Sequence, residues 1–384
     1  MSTIRCIHIA PELPPTVGGV ADYTAILSQR LEEVSGGAVE PVYVHAGKDA
    51  ARAIESDFPV VDLSGRCSAA ALAGTIRKLA GEAKKGAIVL LEYSEYGYAK
   101  RSAPLWLLRG IRRTCGDGSL PLVSVLHELY ATGPPWTSAF WYSVPKRYVT
   151  GQLARMSASV VTNRENAKPW LRQSLWAGID EVIVQPVFSN VGEPDELPAF
   201  GNRSPKVVLF GGSGRKSRFY DEDSHVLRAL LDQVEGREII DIGPSVSDQN
   251  SNPEVRQCGV LPAPSVSKRL LQVSLGALSY PASRLGKSGV AAAFASHGVP
   301  FVLLDEDRTG ETTAPYEEGL HFWRWSTLDS SRCTLSHRIL SEASRSIRTL
   351  YMKEMHSMAV AQSVARAFDV PMSSSHFDWS THSE

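Results

Sequence analysis

The stretch CIHIAPELPPTVGGVADYTAILSQRL, residues 6–31, joins a short apolar run, a turn rich in proline and glycine, and a helical pattern. The apolar run at residues 6–10 predicts a buried strand, and residues 22–31 predict a helix with its apolar side chains on one face. Strands that are apolar on both faces and alternate with helices are typical of parallel sheets with crossover connections. The stretch therefore predicts the start of a Rossmann-like, doubly wound α/β domain.

The same alternation runs through most of the chain. Further apolar runs at residues 41–45, 87–92, 122–127, 159–162 and 182–187 continue the strand series of the first half. Residues 189–205 hold three prolines and two glycines with little periodic apolar pattern, so they predict an interdomain linker. Beyond them the pattern restarts: strand 206–210, loop 211–218, helix 224–234, strand 238–242, helix 265–273, strand 276–280, helix 288–296 and strand 299–304. We therefore predict two doubly wound domains, 1–190 and 203–365, facing across a cleft, and a polar tail at 366–384.

Composition excludes several classes of protein. The 384 residues carry 40 basic and 41 acidic side chains, and this balance argues against a nucleic-acid coat. Five widely spaced cysteines without a C-x-x-C pair predict neither a disulfide framework nor a zinc ribbon. The N-terminal residues show no secretory signal, and no apolar stretch approaches the ~20 residues of a membrane span. We expect a cytoplasmic protein.

The first candidate site is PPTVGGV at residues 14–20, between the first strand and its helix. Gly18 and Gly19 would let backbone N–H groups approach a phosphate or sugar at a helix N-terminus, which favours negative charge. The loop lacks the G-x-G-x-x-G spacing of a nicotinamide site, and an ordinary strand-to-helix turn is the alternative.

The second candidate site is FGGSGRKSR at residues 210–218, after the first strand of the second domain. Glycines including Gly212, followed by Arg215, Lys216 and Arg218, suit a diphosphate, because backbone donors approach closely while the cations neutralise its oxygens. The Walker A spacing is absent, and a solvated basic loop is the alternative.

The third candidate site is YPASRLGKSG at residues 280–289, again at a strand end before a helix. Tyr280 ends the predicted strand, and Lys287, Ser288 and Gly289 at the helix start predict a second anion site. An ordinary helix cap is the alternative.

The fourth candidate is the pair His127 and Glu128, directly after a predicted strand. At that end of a parallel sheet, His127 could orient or deprotonate a hydroxyl group. A structural hydrogen bond is the alternative.

Two acidic triplets resemble metal sites. Residues 221–223 precede a predicted helix, so capping and the helix dipole explain them. Residues 305–307 resemble a D-x-D metal–nucleotide signature, but two complete doubly wound halves do not fit a single-domain metal-dependent transferase. We expect no metal site, with the D-x-D interpretation of residues 305–307 as the minor alternative.

The segment from Lys100 to Arg113, KRSAPLWLLRGIRR, carries five cations and no anion together with an apolar stripe. It could lie on an anionic membrane at the inner face or under a lipid-linked acceptor. The favoured alternative is a helix with its stripe in the core and its arginines in solvent.

Several of these pieces together resemble the retaining GT-B glycosyltransferases of family four, in a bacterial polysaccharide-associated branch. The resemblance rests on P-x-x-P-x-x-x-G-G-V-x-x-Y at residues 11–23, EY-x-x-YGY at 92–98, HEL at 127–129 and SNVG at 189–192. It covers the chain to about Phe368 and implies a GT-B fold whose last helix packs back on the N-terminal domain.

The resemblance also implies an activity: transfer of a hexose from a nucleotide-diphosphate donor to a saccharide or lipid-linked saccharide. Gly18 and Gly19 would approach donor phosphate and acceptor, His127 would contact the transferred sugar, and Arg215 with Lys216 or Arg218 would hold the diphosphate. Such catalysis is electrostatic and needs no metal or further cofactor. The implied catalytic residues are His127, Glu128 and Arg215, and the implied donor-binding residues are Gly18, Gly19, Gly212, Lys216, Arg218, Tyr280, Lys287, Ser288 and Gly289.

One departure from the family pattern concerns its paired glutamates. Counting back from the G-x-P turn at 298–300, the two positions are Leu285 and Ala293 here. The carboxylates that would grip the donor sugar and ribose are missing. Their loss leaves open a catalytically degenerate GT-B subunit or binding protein, and, as a weaker alternative, an epimerase or phosphorylase acting on sugar phosphates or sugar nucleotides.

Overall fold

The structure is a computed structural model that describes residues 3–16, 18–51, 53–100, 103–130, 134–174, 176–179, 181–221, 224–246, 254–304, 312–331 and 334–368. These residues divide into two compact units. The N-terminal unit runs to Gln185 and resumes at Ser357, and the C-terminal unit runs from Pro186 to His356. The acidic triplet at 305–307 and the tail from 369 on lie outside the described residues.

The N-terminal unit contains a parallel sheet. Its strands are β1 (Ile4–Ala10), β2 (Val39–His45), β3 (Val60–Asp62), β4 (Ala87–Tyr93), β5 (Leu122–Leu126), β6 (Ser159–Thr162) and β7 (Val182–Val184). Their order is β3-β2-β1-β4-β5-β6-β7, so the chain reverses direction across the sheet between β1 and β4. The central strands are buried almost continuously, which is why their sequences read as apolar runs.

Helices cover both faces of this sheet. They are α1 (Gly19–Val34), α2 (Ala69–Gly81), α3 (Glu95–Tyr98), α4 (Leu105–Cys115), α5 (Ser138–Met156) and α6 (Lys168–Gln173). Leu72, Ile76, Leu107 and Ile111 bring α2 and α4 into one core with the strands.

The C-terminal unit repeats the design. Its strands are β8 (Ser204–Phe210), β9 (Glu238–Ile242), β10 (Val255–Gln257), β11 (Val273–Ser279), β12 (Phe301–Leu304) and β13 (Phe322–Arg324). Its helices are α7 (Ser213–Asp221), α8 (Ser224–Gln233), α9 (Ala263–Leu270), α10 (Gly289–Ser296), α11 (Trp325–Ser331) and α12 (His337–Leu350). The strand order is β10-β9-β8-β11-β12-β13 and all pairs are parallel, so this sheet reverses direction between β8 and β11. The predicted α/β class with two doubly wound sheets is confirmed.

The chain returns to the N-terminal unit at its last described helix, α13 (Ser357–Ala367). This helix packs against α1, and the Arg30 guanidinium donates a hydrogen bond to Ser357 Oγ at 2.8 Å.

Two predicted element boundaries in the C-terminal unit are wrong. The predicted loop at 211–218 is a loop only to Gly212, because α7 begins at Ser213 and carries the three cations. The predicted helix at 265–273 ends at Leu270, and Val273 already pairs with Ser204 as the first residue of β11.

Candidate functional site

A buried carboxylate lies at the chain reversal of the N-terminal sheet. Glu92, near the end of β4, is fully buried and touches a histidine from each neighbouring strand. Its Oε1 lies 2.9 Å from His8 Nε2 on β1, and its Oε2 lies 2.6 Å from His127 Nε2 just after β5. In open α/β sheets, ligands bind beyond the carboxyl ends of the strands at such a reversal. The three side chains therefore stand where a substrate is expected.

The two hydrogen bonds fix which imidazole nitrogens carry protons. Because an ionised carboxylate only accepts, both Nε2 atoms must donate. Burial by itself raises the pKa of Glu92, but the hydrogen bonds from His127 and His8 outweigh it and leave that pKa below its ordinary value. Glu92 is therefore an anion that holds both imidazoles in one orientation.

The same carboxylate affects its neighbours. Burial, assisted by the negative charge of Glu92, raises the pKa of the Cys6 thiol to about 12 and raises that of Tyr23 well above its ordinary value. Both side chains are therefore neutral near pH 7.

The network continues at both ends. His8 Nδ1 lies 2.7 Å from Ser28 Oγ on α1. His127 Nδ1 lies 3.4 Å from Asn163 Nδ2, while Asn163 Oδ1 is buried and makes no hydrogen bond within the described part of the chain. Asn163 Oδ1 is therefore an acceptor available to a ligand hydroxyl beside His127.

The glycine loop and His127 are linked through Tyr23. Gly18 caps α1 and Gly19 begins it, and one turn later the Tyr23 ring meets the His127 ring edge-on at 5.0 Å between centroids. A Cβ at Gly18 would lie 3.0 Å from Glu12 Oε2, so the Gly18 backbone lies close to the Glu12 carboxylate. Glu128 is half-buried. Thus the predicted residues Gly18, Gly19 and His127 belong to one region of the N-terminal unit.

Sequence reasoning missed His8 and used Glu92 only as part of a motif. Both are polar residues at the buried positions of strands that are mostly apolar, IRCIHIA and AIVLLEY. Charged residues are seldom fully buried without a partner, so a glutamate in such a run is a signal that could have been followed.

A second polar site lies at the chain reversal of the C-terminal sheet. Gly211, after β8, has φ +137°, and Gly243, after β9, has φ +116° with its Cα facing the Gly211 carbonyl so closely that a Cβ would lie 2.2 Å from that oxygen. Only glycine fits this approach. A Cβ on Gly211 would lie 3.5 Å from Val290, so the loop rests against the first turn of α10.

Two of the predicted donor-binding segments meet here. The Arg215 guanidinium, on α7, lies over the Tyr280 ring at 5.0 Å from its centroid, in a cation–π contact. Arg215 and Gly212 are exposed, and Arg218 and Tyr280 are half-buried. The cations predicted on a loop are therefore presented from the first turns of a helix.

Lys216 differs from Arg215 and Arg218 because its side chain is buried. It is 3% exposed and forms an ion pair with Asp241 of β9, which also accepts a hydrogen bond from the Tyr220 hydroxyl. Lys216 Nζ further lies 3.4 Å from the Ile242 carbonyl oxygen. Its charge is thus matched inside the protein, whereas its predicted role was to hold a diphosphate.

The third predicted segment forms the start of α10. Ser288 Oγ accepts a hydrogen bond from the Ala291 N–H at 3.2 Å and so caps the helix that Gly289 begins, and Lys287 is half-buried beside it. Leu285 and Ala293, where the resembling family has glutamates, are both fully buried.

The segment from Lys100 to Arg113 contains α4, whose apolar residues Leu107, Leu108 and Ile111 lie in the core of the N-terminal unit. Its arginines Arg109, Arg112 and Arg113 are exposed. In the residues described, no helix is long and apolar enough to cross a bilayer. Across the same residues, no group of three or more His, Cys, Asp and Glu side chains is arranged to hold a metal ion.

Comparison with known proteins yields structural matches only. No protein-family model matches the sequence, and no curated protein matches it significantly. Sucrose-phosphate synthase from Thermosynechococcus elongatus superposes with a TM-score of 0.64 at 13% identity, covering 95% of this chain and 98% of that one. TarM gives a TM-score of 0.63 at 10% identity, covering 96% and 99%. An alpha-glucosyltransferase in complex with UDP and a 13-mer DNA gives 0.57 at 13%, covering 96% and 100%.

These matches define the fold class. Because they span nearly the whole of each chain, they establish that this protein has the two-domain α/β GT-B fold. Identities this low carry the fold alone.

Proposed function

We propose that the protein is a glycosyltransferase that moves a hexose from a nucleotide-diphosphate donor to a saccharide or lipid-linked saccharide acceptor. The observation that carries the proposal is the match, over 95–96% of the chain, to solved glycosyl-transferring enzymes, one of them holding UDP. The resemblance to family four adds retention of configuration, independence of metal and the absence of any cofactor besides the nucleotide sugar.

The donor is assigned to the C-terminal unit. Arg215 and Arg218 present guanidinium groups at the reversal of that sheet, beside the glycine loop at Gly211 and Gly212. Guanidinium groups bind phosphate oxygens in a fork and stay charged, so they would stabilise the leaving diphosphate as negative charge develops on it. Lys287 and the N-terminus of α10 would add to the same field.

The transferred sugar is assigned to the N-terminal unit. Glu92 holds His127 by a hydrogen bond at 2.6 Å, and Asn163 Oδ1 beside it lacks a partner in the described part of the chain. An oriented imidazole next to a buried acceptor suits the hydroxyl groups of a hexose. Glu92 and His8 then act as positioning residues, because they reach the sugar only through His127.

One observation favours a second candidate function. Leu285 and Ala293 are buried apolar residues at the positions where the resembling family has carboxylates. A GT-B subunit that binds a sugar or a partner without turnover would need no such carboxylates. Sugar transfer or donor hydrolysis by the pure chain would exclude this alternative. Product analysis addresses the epimerase and phosphorylase alternatives, since an epimerase changes the sugar without an acceptor.

Thermal denaturation with nucleoside diphosphates and nucleotide sugars tests the proposal. A ligand that binds only the folded state raises Tm. We expect one nucleoside diphosphate to raise Tm and expect Arg215→Ala to weaken its binding about 10- to 100-fold, since one charge-assisted contact is lost. Arg338→Ala, an exposed arginine on α12, is the matched control and should bind as the wild type.

Two results would overturn the proposal. One is that no nucleotide or nucleotide sugar binds at millimolar concentration, and the other is that Arg215→Ala and Arg338→Ala bind it equally well. With a donor identified, the anomeric configuration of the first product, read by NMR, tests retention.

A further inference from the structure

Exposed apolar side chains are concentrated in one part of the N-terminal unit. Of the ten large hydrophobic side chains that are exposed among the described residues, eight lie between Tyr96 and Trp176. Five of these fall within residues 136–144, and Trp136 and Trp141 are 84% and 70% exposed. Large apolar patches are rare on the surface of monomeric proteins, so this one needs a partner.

The patch follows one side of α5. Residues in a helix advance about 100° each, so Phe140, Trp141, Val144 and Tyr148 fall within roughly 100° of arc. The opposite side holds the fully buried Val149 and Leu153, and near the start of the helix also Tyr142, which is 40% exposed. We call Trp136, which precedes α5, together with Phe140, Trp141, Val144 and the half-buried Tyr148, the aromatic face. Trp176 extends it, because its ring meets Tyr148 edge-on at 5.9 Å.

The surroundings of the aromatic face are basic. Residues 129–164 contain four cations and no acidic residue. Among them, Lys146 is buried and paired with Glu95, Arg147 lies over the Tyr130 ring, and Arg155 donates a hydrogen bond to the Ala177 carbonyl oxygen. Arg112 of α4 donates a hydrogen bond to Gln152 Oε1 of α5 at 2.8 Å, about 16 Å along the helix from Trp141. This contact brings the exposed arginines Arg109, Arg112 and Arg113 alongside the C-terminal half of the face.

We propose that the aromatic face of α5, flanked by the α4 arginines, docks the protein onto an anionic bilayer surface. Tryptophan, tyrosine and phenylalanine partition into the headgroup region, and basic side chains beside them are attracted to anionic lipids. The apolar contact thus lies on α5. Leu107, Leu108 and Ile111 of α4 pack in the core, and α4 contributes charge. This inference is independent of the proposed glycosyl transfer.

Charge decides in favour of a bilayer over a protein partner. Neither α4 nor residues 129–164 contain an acidic residue, so both elements carry positive charge only. The nearest acidic residues in sequence are Asp117, Glu128 and Glu165. A uniform anionic plane complements this arrangement directly.

Co-sedimentation of the full chain with sucrose-loaded vesicles tests the docking. The vesicles contain phosphatidylcholine alone or with about 30% phosphatidylglycerol, enough to give a negative surface potential. We expect at least about tenfold stronger binding to the anionic vesicles, a blue shift of tryptophan fluorescence on binding, and release by high salt.

Two double variants separate the apolar and the charged contributions. Trp136→Ser with Trp141→Ser should lower binding to anionic vesicles at least about tenfold. Arg112→Gln with Arg113→Gln should lower binding to anionic vesicles to a similar extent and leave binding to phosphatidylcholine unchanged. Leu320→Ser and Arg338→Gln, exposed residues of the C-terminal unit, are matched controls and should bind as the wild type. An unchanged Tm and an unchanged nucleotide-induced Tm shift show that each variant is folded.

Three results would overturn the docking proposal. The first is that the wild type binds neither vesicle, and the second is that the tryptophan variant binds as the wild type does. The third is that the wild type binds no vesicles and is a dimer by light scattering, whereas the tryptophan variant is a monomer. The face would then join two copies of the chain.

Discussion

Glu92 and Asp241 are both buried carboxylates near the carboxyl ends of central strands, one in each unit, and they are neutralised differently. Glu92 is held by the imidazoles of His8 and His127, whereas Asp241 is held by the ammonium group of Lys216 and the hydroxyl of Tyr220. The same fold therefore places a carboxylate held by two imidazoles in the N-terminal unit and a buried carboxylate–ammonium ion pair in the C-terminal unit.

The difference has a consequence for the candidate roles. Because Asp241 already matches the charge of Lys216, we expect the exposed Arg215 and the half-buried Arg218, and not Lys216, to neutralise a diphosphate. In the N-terminal unit, His127 keeps one nitrogen on Glu92 and turns the other toward Asn163. One site is suited to a charged group and the other to hydroxyl groups.

The largest effect on stability is expected from breaking the buried ion pair of Lys216 and Asp241. Asp241→Asn leaves the Lys216 ammonium buried beside a neutral amide, and removing one partner of a buried pair costs about 3–5 kcal/mol of unfolding free energy. Urea denaturation measures this loss. The double variant Asp241→Asn with Lys216→Met is the control and should recover most of it, because no charge is then left unmatched. A loss below about 1 kcal/mol for Asp241→Asn would show that the pair is not buried as described.

Acid should lower the stability of the C-terminal unit through protonation of His297. Burial, assisted by the positive charges of Arg348 and Arg203, lowers the pKa of His297 to about 4 despite its hydrogen bond to the Ala293 carbonyl. The unfolded chain, with a pKa near 6.5, therefore binds the proton more readily. The stabilisation is present above pH 6.5 and is lost as the pH falls toward 4, by roughly 3 kcal/mol.

The measurement is the unfolding free energy between pH 7 and pH 4, with hydrogen exchange to locate the loss. His297→Gln should flatten this dependence, whereas His337→Gln, an exposed histidine of the same unit, should leave it as in the wild type. Equal slopes for the wild type and His297→Gln would contradict the assignment.

Glu92→Gln should cost less than Asp241→Asn. Neutral imidazoles can still donate one hydrogen bond to the amide oxygen, so the loss is about 1–3 kcal/mol. The pKa of Glu92 lies below its ordinary 4.5, so its stabilisation is present above that pH and is lost as the pH falls further. Denaturation between pH 6 and pH 3 should show a shallower acid limb for Glu92→Gln than for the wild type. Glu342→Gln, an exposed control, should keep the wild-type slope.

The sequence predicts the fold better than it predicts these networks. Buried parallel strands such as β4 are apolar along their whole length, so their existence follows from residue type alone. The strands β3 and β10 were not predicted because each has three residues, none fully buried, and the short β13 was missed too. Residues 215–218 were placed on a loop, since the basic, glycine-rich pattern hid a helix that starts at Ser213.

The pairings within each site could not be predicted. His8 and Glu92 are 84 positions apart and meet through the register of β1 and β4, whereas Lys216 of α7 and Asp241 of β9 are 25 positions apart and meet where the helix packs on the sheet. Spacing along the chain placed His127, Arg215 and Ser288 at strand ends, and the roles assigned to them from the family resemblance stay predictions.

The smallest effect on stability is expected from removing a serine helix cap, and each unit offers one. Ser288 Oγ and Ser68 Oγ each accept a backbone hydrogen bond at 3.2 Å, from Ala291 and Ala71, at the starts of α10 and α2. Removing such a cap costs about 1 kcal/mol, so Ser288→Ala and Ser68→Ala should lower the unfolding free energy alike. If the start of α10 binds the donor, Ser288→Ala alone should also weaken nucleoside diphosphate binding, read as a smaller Tm shift. Equal shifts in both variants would leave Ser288 as a cap and assign the diphosphate to Arg215 and Arg218.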